Sequence, residues 1–279
     1  MKKILFFIFI MSSSSYLYSQ NLNGLYLSTG QDGPSPSIWF ENNNISLLFP
    51  INGGTYIEKE KYLINSINGI YKITILSNPG IVLYLLFDNE FGYFSITTPY
   101  KYDSGILLRI TDEIIQKLPR GGGDSFIRAF LEEKSINGSS FLKENGIEYK
   151  FTNIMKLFTT YPWVEGKEDT GIGEYIELDY SQKYIERVDT IIISNGFFSP
   201  NNPNLYYQNN RVKKILIEEI NGIYKQEFDV RDSPNIQSFK LGRYCSKIRI
   251  TITDVYYGTE YNDTCINYLS GVRVFYRTP

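Results

Sequence analysis

The sequence predicts an all-β protein with a small N-terminal antiparallel domain (a barrel or meander) and a C-terminal jelly-roll β-sandwich, joined by a short helical connector. The aromatic fraction is 16%, with 24 Tyr and 18 Phe, and aromatic side chains favour pleated surfaces. Short apolar runs are separated by turn residues such as Asn-Gly, as antiparallel hairpins require. A length of 279 residues suits one large or two ordinary domains.

The first 19 residues are predicted to be a signal peptide. Lys2 and Lys3 form a charged start, an apolar run covers 4–11, and Ser19 fits a cleavage site. The apolar run is too short to span a membrane, and no later segment qualifies as a transmembrane helix. We therefore expect an exported protein that is periplasmic, at the cell surface or secreted.

Residues 20–120 are predicted to form the first β domain. Turn residues at 52–54 and 68–69 separate apolar or alternating runs, which is typical of hairpins. The predicted strands are 45–49, 71–75, 81–87, 93–97 and 106–110.

Two short helices are predicted around the connector at 121–139. Thr111 can cap a helix over 112–118, and Asp124 can cap a second helix. The second helix would place on one face Ile127, Phe130 and Leu131. Between them, three consecutive glycines interrupt regular structure, so the domain boundary is predicted between 120 and 140.

Residues 140–279 are predicted to form the second β domain. Apolar and polar residues alternate strictly over 248–252, which is the pattern of a half-buried strand. Several strands joined by long loops favour a sandwich or jelly roll. The predicted strands are 176–180, 188–194, 215–217, 224–230, 248–252 and 272–276.

Composition excludes several function classes. A net charge of −2 lacks the basic footprint that nucleic acid requires. The absence of histidine removes Ser-His-Asp and Cys-His catalysis and most zinc sites. Ser140 and Lys143 match Ser-x-x-Lys without its companion motifs. We predict no enzyme, no cofactor and no bound metal; a hydrolase with its active site in the N-terminal domain is the least favoured alternative.

The only two cysteines are Cys245 and Cys265. Export permits a disulfide between them, and a bridge closing roughly 20 residues would add about 3 kcal/mol. Two buried free thiols are the equally favoured alternative, because sequence does not give the Cα separation that decides.

Four loop segments at predicted strand ends are rich in glycine, asparagine, aromatic and charged residues. They cover 161–166, 171–174, 195–211 and 261–265. Aromatic faces cover the apolar side of a sugar, and planar polar groups pair with its hydroxyls. The predicted ligand-binding residues are Trp163, Glu165, Asn195, Phe198, Tyr206, Tyr207, Asn209, Arg211 and Asp263.

Several of these residues also have purely structural interpretations. Trp163 fits a core anchor better than a sugar platform, and Asp263 can cap a turn. Arg211 can pair with Glu165 or Glu174 and hold two loops together instead of contacting a ligand. Sequence alone leaves these alternatives open.

The ordered motifs Trp163-Val164-Glu165-Gly166, Gly171-Ile172-Gly173-Glu174, Asn195-Gly196-Phe197 and Asn262-Asp263-Thr264-Cys265 resemble the discoidin-like domain attached to bacterial NAD-glycohydrolase toxins. The resemblance covers about 140–279. It implies a galactose-binding-like β-sandwich and carbohydrate recognition, and it does not imply NAD hydrolysis. Many discoidin relatives hold a structural calcium with acids that this sequence replaces at 157–160 and 266–269, so we expect no calcium site.

These observations together predict an exported, non-enzymatic protein that binds a glycan or glycoconjugate through its C-terminal sandwich. The alternative is an envelope structural or protein–protein interaction component with the same fold, another envelope protein as its partner and no sugar ligand.

Overall fold

The structure, a computed structural model, describes residues 24–28, 37–41, 44–49, 55–87, 91–97, 102–109, 127–130, 135–155, 161–181, 187–199 and 201–276. The predicted signal peptide, the helix predicted over 112–118 and the segment 157–160 lie outside these residues. Within them, no helix has the length and apolarity needed to cross a membrane.

The chain divides into two compact units, and each is described by itself. The first comprises Met1–Leu85, Gly92–Phe126 and Tyr276–Pro279, and the second comprises Leu86–Phe91 and Ile127–Phe275.

The N-terminal strands form a closed antiparallel barrel in the order β1 to β8. The barrel closes where Tyr26 in the first strand pairs with Arg109 in the last. Of the predicted barrel or meander, the barrel is therefore the one observed. The strands are β1 Gly24–Ser28, β2 Ser37–Glu41, β3 Asn44–Phe49, β4 Thr55–Ile67, β5 Ile70–Ile75, β6 Val82–Phe87, β7 Phe91–Thr97 and β8 Tyr102–Arg109.

Alternation of side chains gives the barrel its core. In β5 the side chains of Ile73 and Ile75 are fully buried, whereas Lys72 and Thr74 between them are partly exposed. Burial of each such aliphatic side chain contributes about 1.5–3 kcal/mol. A two-residue turn with positive φ at Asn68 and Gly69 joins β4 to β5, as the sequence predicts.

The second unit is a β-sandwich, which confirms the predicted fold class. One layer follows the order β10-β14-β19-β16 with β17 beside β16, and the other contains β20, β15 and β18. The strands are β9 Ile127–Phe130, β10 Ser135–Gly138, β11 Lys143–Glu144, β12 Ile147–Glu148, β13 Trp163–Val164, β14 Tyr175–Asp179, β15 Val188–Asn195, β16 Asn210–Glu219, β17 Lys225–Asp229, β18 Ile236–Cys245, β19 Lys247–Tyr256 and β20 Thr264–Tyr276.

Side chains from both layers fill one core. Ile250 from β19 and Leu178 from β14 meet Ile191 from β15 and Leu269 from β20 in a single buried cluster. A short parallel pairing of Asn210–Arg211 with Thr264–Cys265 connects the two layers, in an otherwise antiparallel arrangement.

The helix predicted after Asp124 is wrong where the structure describes it. Ile127–Phe130 form the strand β9, which pairs with β20. The spacing of Ile127 and Phe130 fits one helical face, but a segment of four residues carries too little periodicity to outweigh the backbone hydrogen bonds of a neighbouring strand. A 3-10 helix occurs later, at Phe151–Met155.

Both cysteines are free thiols. Cys245 ends β18 and Cys265 begins β20, and both side chains are fully buried. Burial, together with the negative charge of Glu219, raises the pKa of the Cys245 thiol to about 11, so this thiol is protonated at neutral pH. The structure therefore contains the free-thiol alternative and no bridge between these two residues.

Candidate functional site

Loops from both layers meet at one end of the sandwich. Asn195 at the end of β15 pairs with Ile266 near the start of β20, and Arg211 at the start of β16 pairs with Tyr256 at the end of β19. The segments that adjoin these positions therefore lie at the same end. We call this region the loop end; it contains the segments 165–174, 196–199, 201–209, 231–235 and 257–263.

Arg211 is the central residue of the loop end. Its Nε and Nη2 atoms donate to the two carboxylate oxygens of Asp232 at 3.1 and 2.8 Å. Its Nη1 donates to the backbone oxygens of Asn209 at 3.1 Å and Tyr257 at 2.8 Å. Through these hydrogen bonds Arg211, whose side chain is almost fully buried, holds three loops together. Its acidic partner is Asp232, and neither Glu165 nor Glu174 fills that role.

Tyr206 completes this buried cluster. It lies in a single-turn helix, α1 (Leu205–Gln208), and its hydroxyl donates to Oδ1 of Asp232 at 3.0 Å. The Arg211 guanidinium lies 5.6 Å from the centre of the Tyr206 ring. Burial raises the pKa of Tyr206, and the charge of Asp232 raises it further. The hydroxyl therefore remains a donor at every ordinary pH.

Asn195 and Gly196 fit against that cluster. The Asn195 amide pairs with the backbone of Val212 in both directions, donating to its oxygen at 2.7 Å and accepting from its nitrogen at 2.9 Å. Gly196 has φ +73°, and a Cβ there would lie 2.6 Å from a Tyr206 ring carbon and 2.8 Å from Cγ of Arg211. The Asn195 side chain thus links β15 to β16, and the absence of a side chain at Gly196 leaves room for Tyr206 and Arg211.

Glu165 is a buried carboxyl that fixes a second loop. Its two oxygens accept hydrogen bonds from the backbone nitrogens of Lys167 at 2.8 Å and Thr264 at 3.3 Å. Burial raises its pKa to about 7, which exceeds the lowering effect of those two hydrogen bonds. Gly171 packs directly on the side chain, since a Cβ there would lie 2.5 Å from Cγ of Glu165.

The neighbouring acid Glu174 is also used internally. It pairs with Lys167 at 2.6 Å and accepts hydrogen bonds from the hydroxyls of Ser139 and Ser140. The backbone oxygen of Ser140 accepts from Nε1 of Trp163 at 2.9 Å. The serine of the Ser-x-x-Lys string therefore has a structural partner, and Trp163 is a fully buried core residue.

The predicted ligand-binding residues are all at or directly beneath the loop end, but their exposure differs sharply. Tyr207 is 49% exposed and Asp263 is partly buried. Asn209 is buried and donates to the backbone oxygen of Leu205 at 2.9 Å. The buried members are Trp163, Glu165, Asn195, Phe198, Tyr206, Asn209 and Arg211.

Three further exposed tyrosines lie at the same end, and none of them is among the predicted ligand-binding residues, although Tyr161 and Tyr261 belong to the loop segments that the sequence singles out. Tyr257 is 69% exposed and Tyr261 is 48% exposed, and both lie in the loop between β19 and β20. That loop is fastened to α1, because the Thr259 nitrogen donates to Tyr207 O at 3.0 Å and the Tyr261 nitrogen donates to Gln208 O at 2.9 Å. We call Tyr207, Tyr257 and Tyr261 the tyrosine rim. In the sequence, only their position just beyond a strand end points to these residues.

The third of these further tyrosines, Tyr161, belongs to an adjoining aromatic group. Its ring packs edge-on against Tyr149, with 5.3 Å between ring centres, and Tyr149 in turn approaches Phe197 at 6.1 Å. Tyr161 remains about half exposed, so it extends the aromatic surface beside the tyrosine rim.

Asp263 is the carboxylate next to the tyrosine rim. Its backbone oxygen accepts from the Asn210 nitrogen at 3.0 Å, which fixes the position of the residue. Burial raises the pKa of its carboxyl, and the nearby Glu144 raises it further. Among the residues that the structure describes, none forms an ion pair or a side-chain hydrogen bond with this carboxylate.

The chemistry of the loop end is that of a binding surface. The rim offers aromatic faces and hydroxyls, and Asp263 offers acceptor oxygens. Over the part of the chain that the structure describes, no group of three or more Cys, Asp or Glu side chains is arranged to hold a metal ion.

Comparison with known proteins gives one family match. Residues 131–270, half of the 279-residue chain, match the family model described as NAD glycohydrolase translocation F5/8 type C domain. No curated protein matches the chain.

Two solved structures show a partial likeness. Both are cryo-EM structures of the arabinofuranosyltransferase AftD from Mycobacteria, one of them a mutant, and each is 13% identical to this chain. The TM-scores are 0.37 and 0.35, over 57% and 55% of this chain. The match spans only 13% and 12% of those chains, and at these scores the likeness carries no argument.

Proposed function

This chain belongs to the family of NAD glycohydrolase translocation F5/8 type C domains, and we propose that it is an exported, non-enzymatic protein that binds carbohydrate with its loop end. A discoidin-like domain of this kind indicates binding of carbohydrate or protein. The surface chemistry favours carbohydrate, and the barrel would present the sandwich or add a second contact.

The observation that carries the proposal is the position of Asp263 beside the tyrosine rim. A sugar presents apolar C–H faces and adjacent hydroxyls, so it needs an aromatic face together with fixed polar groups. Tyr207 and Tyr261 offer half-exposed rings, and Asp263 offers two oxygens that the described residues leave without a donor. Ligand hydroxyls would donate to these oxygens.

We call Asn195, Tyr206 and Arg211, with the partner carboxylate Asp232, the buried framework. It supports the proposal because it reduces the conformational entropy that is lost on binding. Arg211 ties α1, the loop after β19 and Asp232 into one hydrogen-bonded unit. Loops that are already fixed lose little conformational entropy when a ligand binds. Each hydrogen bond adds only about 1 kcal/mol net, so the dissociation constant for one sugar unit should be roughly millimolar.

A glycan array probed with the full chain, followed by titration of the strongest hit, tests the proposal. Tyr207→Ala and Asp263→Asn should each weaken binding about fivefold or more, by the loss of one ring contact or one charged acceptor. Tyr244→Ala is the matched control, since Tyr244 is 46% exposed but lies near the far end of β18. Ten residues of strand separate that end from the loop end by about 30 Å.

The outcomes separate the alternatives. Weakening by both loop-end variants with unchanged binding by Tyr244→Ala supports the proposal. Binding that survives both variants would move the ligand elsewhere on the molecule. Silence on the array, with a protein partner recovered by pull-down, would support an envelope protein–protein interaction component instead.

The non-enzymatic part of the proposal has its own assay. The full chain should not release chromophore from chromogenic glycosides and should not consume NAD. Turnover that scales with protein concentration and survives repurification would overturn it.

A further inference from the structure

Resting on the proposed function, we infer that the loop end accepts uncharged glycans and rejects acidic ones, because its cations Lys167 and Arg211 are paired with carboxylates, whereas its acids Glu168, Asp169 and Asp263 have no cationic partner among the described residues. This juxtaposition specifies the ligand class of the proposed carbohydrate site. It concerns glycans that carry carboxylate, sulfate or phosphate groups against their neutral counterparts.

Three cations at or near the loop end are paired with carboxylates. Lys167 bonds to Glu174 at 2.6 Å, and Lys143 bonds to Glu148 at 2.9 Å. Arg211 directs four of its five N–H groups to Asp232 and to two backbone oxygens, and its side chain is almost fully buried. Recognition of an anionic sugar depends on such donors being available to the ligand, and here they are committed to the protein.

Arg231 differs from the other cations because it forms no ion pair within the described residues. Its Nε lies 3.4 Å from Oε1 of Gln237, and that oxygen also accepts from the Arg231 nitrogen at 2.7 Å. The Nε of this exposed side chain is thus directed toward β18, and the excess of acids over cations in the loop end includes the charge of Arg231.

Several carboxylates near the rim differ from these cations, because no cation pairs with them among the described residues. Among the described residues, no ion pair involves Asp263, and the same holds for Glu144, Glu168 and Asp169, whose side chains are exposed. Burial and then the negative charge of Glu144 raise the pKa of Asp263, which shows that the two acids influence each other. A ligand anion brought to Asp263 would meet this same field and gain no compensating cation.

A matched pair of ligands tests the inference with the full chain. The best neutral glycan from the array is compared with the same core bearing a terminal sialic or uronic acid. At low ionic strength the acidic counterpart should bind about tenfold more weakly, and raising the salt concentration should narrow the gap because the repulsion is screened. Equal or tighter binding of the acidic glycan would overturn the inference.

A charge variant distinguishes repulsion from steric exclusion. The double substitution Glu144→Lys with Glu168→Lys should raise affinity for the acidic glycan about threefold or more, with unchanged affinity for the neutral one. An acidic glycan that stays excluded in both the variant and high salt would mean that shape rejects it, and the inference would be wrong. Absence of binding to every glycan would instead end the proposed function, and this inference with it.

Discussion

The buried framework and the exposed tyrosine rim each contain one of two consecutive residues, Tyr206 and Tyr207, and these two residues have opposite roles. Tyr206 is completely buried and donates to Asp232, whereas Tyr207 is half exposed. Their rings are 5.1 Å apart and nearly perpendicular. Neighbouring residues of the same type thus divide into one that builds the loop end and one that can contact a ligand.

This difference teaches how to interpret polar residues in loops. A loop on a sandwich must satisfy its own backbone groups, and long polar side chains are the means available. Arg211 and Asn195 meet that need, because each bonds to backbone atoms across the loop end. The residues left for a ligand are those whose side chains the framework does not use.

The largest effect should follow the loss of the framework arginine. Arg211→Leu leaves Asp232 without its cation and two backbone oxygens without a donor, and should destabilise the sandwich by about 4 kcal/mol. Arg249→Leu is the control, since Arg249 pairs with Glu177 on a partly exposed sheet face and should cost under about 1 kcal/mol.

Urea denaturation measures both variants. Trp163 is buried in the sandwich and Trp39 is in the barrel, so fluorescence in a Trp39→Phe background reports on the sandwich alone. Equal costs for the two arginines would contradict a special role for the framework.

The next largest effect should come from crowding the framework. Gly196→Ala forces an unfavourable φ of +73° and also drives a methyl group against Tyr206 and Arg211, for a cost of about 3 kcal/mol. Gly146→Ala has φ +79° with nothing within 4 Å, so it should cost about 1 kcal/mol. The difference between the two free energies of unfolding isolates the clash, and a difference near zero would show that the loop end repacks.

A third effect should depend on pH through Glu165. Because its folded pKa is raised to about 7 from 4.5, the ionised form is disfavoured in the folded protein. Stability should therefore fall by about 3 kcal/mol as pH rises from about 4.5 to about 7, and then level off. The chain has no histidine, which keeps this pH window free of the usual titrating side chain.

Glu165→Gln should remove that slope. Unfolding free energies of the two proteins at pH 5 and pH 8 provide the measurement. A wild-type slope that persists in Glu165→Gln would assign the pH dependence to another group.

The smallest effect on stability should come from the rim. Tyr257→Ala removes a side chain that is 69% exposed, and its backbone oxygen still accepts from Arg211. The free energy of unfolding should change by less than about 0.5 kcal/mol, while glycan affinity should drop. A marked loss of stability would place Tyr257 in the framework.

The strands were predictable where one face is buried, because alternation of side chains then appears directly in the sequence. The pattern at Ile248, Ile250 and Ile252 predicts β19, and the structure buries all three side chains. The helix predicted after Asp124 failed because the spacing of two apolar residues fits either period when the segment is short. Long-range pairing with β20 decides such cases, and it has no local signal.

The candidate site was predictable as a set of loops but not as a contact surface. The motifs lie together at one end of the sandwich, since they contain the turns and buried polar residues that shape it. Which tyrosine faces outward depends on neighbours such as Asp232, 26 residues from Tyr206 in the chain. No local pattern contains that information, so Tyr257 and Tyr261 are absent from the predicted ligand-binding residues, although Tyr261 lies in one of the predicted loop segments.

Several hydrogen bonds of the loop end span long stretches of chain, such as 21 residues between Arg211 and Asp232 and 99 residues between Glu165 and Thr264. High contact order slows folding, because distant segments lose chain entropy when they come together, before they form stabilising contacts. The loop that Glu165 fixes cannot complete its hydrogen bonds until Thr264 has joined the fold. A fragment that ends before Thr264 would contain most of the strands but would lack the donor that Thr264 provides to Glu165.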